Sequence, residues 1–113
     1  MEIEVITLDN NVNCIRLSGR MDSAGVDRVE IKFTSALVAA GRNAVVDLSA
    51  VSFLASMGIR MLITGARSLK AKGASVVVFG ATELVQSVLD NVALDQIIPI
   101  VSTQEQALEK LSS

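Results

Sequence analysis

Few side chains in this sequence are equipped for chemistry, and the one whose setting asks for a role is Ser56. It lies in Asp47-Leu48-Ser49-Ala50-Val51-Ser52-Phe53-Leu54-Ala55-Ser56-Met57-Gly58-Ile59-Arg60-Met61, where a strand-like run gives way to a helical one. A serine hydroxyl can attack a substrate or cap a helix. Attack requires a neighbouring base, and the chain has no His; Lys70 and Lys72 fall about four to five helical turns away. Ala55-Ser56-Met57-Gly58 is not the G-x-S-x-G elbow of hydrolases, and neither a GxxxxGKS/T phosphate loop nor an acidic metal cluster is present in the sequence. The missing His also removes imidazole metal ligands and phosphohistidine. No catalytic, cofactor-binding or metal-binding residue is therefore assigned, and no enzyme activity is expected. Capping remains for Ser56, worth about 0.5 to 2 kcal/mol against Ala.

The elements that must hold this serine are built from an aliphatic chain. Of 113 residues 50% are apolar, but only three are Phe and none is Trp or Tyr, so the core has to come from Val, Leu, Ile and Ala, a mix suited to an α/β layer fold. One domain spanning residues 1–113 is expected at this length. A net charge of −2 and the lack of stacking aromatics argue against nucleic acid as a partner. Membrane insertion is not expected either, since charged residues interrupt every apolar run before the roughly 18 to 20 residues that a spanning helix needs. The single Cys14 cannot make an internal disulfide and the start MEIEVI is no signal segment, so a cytoplasmic location is expected. Nothing points to a small-molecule substrate.

The pattern along the chain is β-β-α-β-α-β-α-β-α. Glu2–Leu8 and Val12–Leu17 read as a hairpin about the turn Asp9-Asn10-Asn11. From Val26 the apolar set Val29, Phe33, Leu37 marks a helix with Asp22 or Ser23 as cap and Gly41 as stop. Ala44–Leu48 is a short strand, followed by a loop over Ser49–Ala55 and a helix that Ser56 would cap and Gly73 would end. Ser75–Phe79 reads as a buried parallel strand, Thr82 as the cap of a third helix, and Ile97–Val101, with the lone Pro99, as an edge strand. Thr103 with Gln106 forms a capping box for the last helix. The expected fold is a mixed sheet of about five strands, led by an antiparallel hairpin and covered by about four helices.

At about 100° per residue the second helix has two apolar faces. Ile59, Leu62, Ile63, Ala66 and Leu69 make the expected core face, while Met57, Met61, Thr64 and Ser68 make an opposite stripe expected to meet solvent. Methionine suits protein-binding surfaces, so Met57 and Met61 read as a docking patch, with burial under a neighbouring element as the alternative. Asp22 reads as a cap, with a contact role as the alternative. Asp47 is expected to bond loop amides and so shape the serine turn. Cys14 reads as an inert core residue.

Gly19-Arg20-Met21-Asp22, then Val46-Asp47-Leu48-Ser49 leading through Phe53 to Ser56 and Gly58, and finally Ile97-Ile98-Pro99-Ile100 together resemble the STAS domain of the anti-sigma-factor antagonist family over the whole chain. That family commonly carries Asp-Ser-Ser-Gly, its first serine phosphorylated by a serine kinase that is also the anti-sigma factor. Ser56 takes that place; Ala55 stands for the Asp and Met57 for the second Ser. The resemblance implies partner switching without cofactor. The unmodified protein would bind an anti-sigma factor or related ATP-binding serine kinase through Asp22, Ser56, Met57, Gly58, Arg60 and Met61, and phosphorylation of Ser56 would release it, with a phosphatase as a further partner. The alternative is a constitutive, unphosphorylated STAS subunit of a transporter ATPase or signalling assembly.

Overall fold

A computed structural model describes residues 1–8 and 10–112 of the chain. The hairpin forms as β1 (Glu2–Thr7) and β2 (Asn13–Met21), antiparallel with Ile3 opposite Leu17 and Val5 opposite Ile15. Its turn is closed by the Leu8 amide on the Val12 carbonyl at 2.8 Å; Asp9 of the expected turn lies outside the described residues. Then follow α1 (Ser23–Val38), β3 (Ala44–Leu54), α2 (Ser56–Ala71), β4 (Val76–Phe79), α3 (Glu83–Asn91), a 3-10 turn at Leu94–Gln96, β5 (Ile100–Val101) and α4 (Gln104–Ser112). The strands lie in the order β1-β2-β3-β4-β5, parallel from β2 onward. This is the mixed sheet and element order expected from the sequence.

Alternation along the strands splits the core in two. Ile15, Leu17, Val46, Leu48 and Val78 point to one face, where they are buried with residues of α1, α2 and α3 such as Phe33, Leu62 and Leu89. Cys14, Val45, Val77 and Phe79 point to the other, beneath Ala107, Leu108 and Leu111 of α4. Three caps read from sequence are in place: Asp22 accepts from the Gly25 amide at 2.9 Å and Thr82 from the Val85 amide at 3.3 Å. Gln106 and Thr103 bond reciprocally, the Thr103 amide to Gln106 Oε1 at 3.3 Å and the Gln106 amide to Thr103 Oγ1 at 3.2 Å. No helix among the described residues is long and apolar enough to cross a membrane.

Three expectations are corrected. The strand expected to stop at Leu48 runs on to Leu54, pairing Gly19 with Val51 and Met21 with Leu54. Register shifts let Ser49, Ala50 and Ser52 face solvent while Val51 and Leu54 stay buried, so polar residues that look like a loop are the open side of a strand. The edge strand around Pro99 shrinks to Ile100–Val101, because Leu94–Gln96 is already wound as a 3-10 turn. Finally, α2 is rotated about its axis by roughly 80° from the expected orientation, taking about 100° per residue. Its buried residues are Gly58, Met61, Leu62, Gly65 and Leu69. The two glycines cause the rotation: a Cβ on Gly58 would stand 2.7 Å from Leu54 Cδ1, and one on Gly65 would stand 2.9 Å from the Phe33 ring. Counted as neutral in the pattern, they are the points of closest approach to the sheet and to α1.

Candidate functional site at the start of the second helix

Because β2 and β3 are parallel, their carboxyl ends emerge together, and the Ala55 amide donates to the Met21 carbonyl at 3.0 Å. The starts of α1 and α2 are thereby held side by side at one sheet edge, the edge at which open α/β sheets place their sites. Asp22 caps the first of them, as expected. Ser56 does not cap the second. Ala55 occupies the cap position with extended backbone (φ −113°, ψ 175°) and has no side chain to offer; its carbonyl accepts from the amides of Gly58 at 3.0 Å and Ile59 at 3.2 Å. Ser56 is thus the first residue of the helix, exposed, and its hydroxyl has no hydrogen-bond partner among the described residues.

The electrostatics of this turn favour an anion. No acidic residue lies in the first turn of α2 and no side chain caps it, so the positive end of the helix dipole is uncompensated. Arg60, four residues on, is exposed and forms no ion pair among the described residues. A phosphate on Ser56 would meet free amides and a guanidinium on the same helical face.

Six residues were expected to form the contact surface. Ser56 and Arg60 are exposed, and Asp22 and Met57 are half-buried at its margin. Gly58 and Met61 are not surface: Gly58 rests on Leu54 and Met21, and Met61 is 2% exposed within the main core. The rotation of α2 turns the Met61 side chain inward, beneath the turn and away from the exposed face. Asp47 accepts from the Ser49 amide at 2.8 Å and from Arg16 Nε at 3.3 Å, bonds within the sheet that do not reach the turn at Ser56. Cys14 is buried, and burial together with the nearby Asp47 carboxylate pushes its thiol pKa up, as an inert residue requires.

Two residues beside the site, Arg20 and Phe53, stand in the quoted motifs but have no site role assigned from sequence. Arg20 lies 4.3 Å above the Phe53 ring and donates through Nε to Asp22 at 3.3 Å. The Gly25 amide, with the Arg20 guanidinium beside it, holds the Asp22 carboxyl below the usual carboxylate range. The signal was the pairing of Arg20 with Phe53 across β2 and β3, which is visible only once β3 is known to extend past Leu48.

Among the described residues, a parallel-cored mixed sheet with three helices on one face and one on the other makes a small α/β domain, and its candidate site is an exposed surface at a helix start. Residues 3–107 match the model of the STAS domain, and the chain belongs to that family. Among solved structures, it is similar to an anti-sigma factor antagonist from Mycobacterium paratuberculosis, at 25% identity, covering 99% of this chain and 94% of that one with a TM-score of 0.87. An anti-sigma-factor antagonist (STAS) domain protein from Planctomyces limnophilus matches at 24% identity, covering 98% of both chains, with a TM-score of 0.85. The phosphorylated form of the Bacillus cell fate determinant SpoIIAA shares the fold at 18% identity, covering 96% of this chain and 98% of that one, with a TM-score of 0.70.

Proposed function

We propose that this protein is an anti-sigma-factor antagonist that works in the cytoplasm by partner switching, with no catalytic activity of its own. The observation that carries this function is the Ser56 hydroxyl, without a hydrogen-bond partner among the described residues, on the exposed first turn of a helix that has no side-chain cap and no acidic residue there. In its unmodified form the protein docks on an anti-sigma factor or related ATP-binding serine kinase through Ser56, Met57, Arg60 and the neighbouring Asp22, with Gly58 and Met61 holding the turn in place. The kinase then transfers the γ-phosphoryl group of ATP to Ser56 Oγ. The hydroxyl proton passes to a base of the kinase and ADP leaves.

The phosphate adds about −1.5 to −2 charge at a helix start. Inside the free protein it is well placed, so the fold persists. In the complex, the same dianion would be trapped under a partner packed on the turn, where removing it from water costs several kcal/mol unless cations in the partner meet it. Binding is lost while the structure is kept, and a phosphatase resets the switch. SpoIIAA, solved in a phosphorylated form, supports a modified state on this fold.

Pull-downs from the source organism with wild type, Ser56→Ala and Ser56→Asp test this. A serine-kinase-type regulator should be retained by the first two and lost by the third. Equal retention by all three, with no phosphate on the wild-type bait, would favour a constitutive subunit.

A further inference from the structure

The cations of α2 do not stop at the serine end. The segment from Ser56 to Lys72 carries Arg60, Arg67, Lys70 and Lys72 and no carboxylate, a charge of +4 in a chain of net −2, which leaves −6 for the rest. Arg67 and Lys70 are exposed and form no ion pair among the described residues. They rim a groove between the last turns of α2, the entry to β4 and the segment after the 3-10 turn. Two adjoining depressions of about 220 and 250 Å³ share Ala66, Lys70 and Ile97, with Val76 and Pro99 completing the floor. Ile97 is 46% exposed there, a large aliphatic side chain held open beside two cations.

We propose that this groove is a second docking site, and that its occupant is an acidic peptide segment of the partner with one aliphatic anchor residue. The proposal rests on the reading that α2 docks a protein. Charge complementarity calls for carboxylates opposite Arg67 and Lys70. The exposed Ile97, with the half-buried Ala66 and Pro99 beside it, calls for an apolar side chain, which a free anion would not supply. No aromatic residue lines the groove, so nucleic-acid bases have nothing to stack on. The helix end does not repel the carboxylates directly, because the Leu69 carbonyl already accepts from Lys72 and Ala74 and the Lys70 carbonyl from Gly73.

Arg67 is eleven residues beyond Ser56, about 16 Å along the axis at 1.5 Å per residue, further than the roughly 8 Å over which charge acts at physiological salt. The two sites therefore respond separately. Amide NMR spectra of the full chain should be followed while adding a short synthetic peptide of Glu and Asp around one Leu, with the same peptide carrying Ser for Leu as comparison. Saturable shifts should be confined to the Ala66–Lys70 and Gln96–Ile100 amides. Affinity should fall as salt rises, drop about tenfold or more in the double variant R67E/K70E, and weaken with the Ser peptide and with Ile97→Ser. Ser56→Asp should bind the peptide as wild type does, which keeps this result independent of phosphorylation. The proposal is overturned by shifts spread over the whole surface, by equal binding of both peptides, or by binding unchanged in R67E/K70E with an unchanged melting temperature. Shifts at the same amides on raising protein concentration alone would also overturn it, by giving the groove to a second copy of this chain.

Discussion

Placing Asp at position 55 should stabilise this protein, although the substitution touches no core contact. Ala55 has the extended backbone that a cap residue needs, φ −113° and ψ 175°, but no oxygen to offer the amides at the start of α2, and no acidic residue follows in that turn. An Asp side chain there would accept from a free amide, a change worth about 0.5 to 2 kcal/mol, part of it from the dipole. Unfolding entropy near 2.1 cal/mol/K per residue gives about 0.24 kcal/mol/K for a chain of this length, so Ala55→Asp should raise the melting temperature by about 2 to 8 °C. Calorimetry on wild type, Ala55→Asp and Ala55→Asn separates the two contributions. Asn supplies the hydrogen bond without charge, and the gap between the two variants, about 0.3 to 1 kcal/mol, should close as salt is raised toward 1 M. An unchanged or lower melting temperature for both variants would mean that α2 does not begin with free amides at Ser56, and the anion-receptive turn would have to be given up.

Met61→Ala should cost about 2 to 5 kcal/mol in urea unfolding, as expected for a buried Met; a cost below about 1 kcal/mol would return Met61 to the surface. The Asp22 carboxyl has a lowered pKa in the folded protein, so the stability it contributes is complete above its unfolded value of about 3.9 and is lost as pH falls through the folded one. Urea midpoints of wild type and Asp22→Asn should therefore differ by a constant amount above about pH 5 and draw together on acidification; a difference that does not depend on pH would contradict the Gly25 bond. Cys14, buried and with its thiol pKa raised, should resist alkylation at neutral pH in the folded protein and react in denaturant. Equal rates in the two states would refute its placement.

What could be read from the sequence was local or periodic. The caps at Asp22 and Thr82 and the box of Thr103 with Gln106 depend on a few consecutive residues, and each forms as expected. The alternation of strands and helices likewise follows from burial period alone. The misplaced features were set by tertiary contact. Ser49, Ala50 and Ser52 look like a loop until β2 is seen pairing alongside them, and Gly58 and Gly65 look like gaps in a helical face until Met21 and Phe33 are seen filling the space. The capping bond expected of Ser56 does not form. The Ala55 amide pinned to Met21 begins the helix one residue earlier than a capping serine would. Without that bond the Ser56 hydroxyl has no hydrogen-bond partner among the described residues, which suits the proposed phosphoryl transfer.

In the proposed switch, phosphoryl transfer to Ser56 releases the partner. The most direct measurement is to isolate the complex formed by the wild-type protein and by Ser56→Ala, add ATP with Mg²⁺, and follow both release of the partner and phosphate on the bait by mass spectrometry. The wild-type complex should dissociate as one phosphate appears on Ser56, and the Ser56→Ala complex should persist. Persistence of both complexes, or release of the wild type with Ser56 unmodified, would contradict the account.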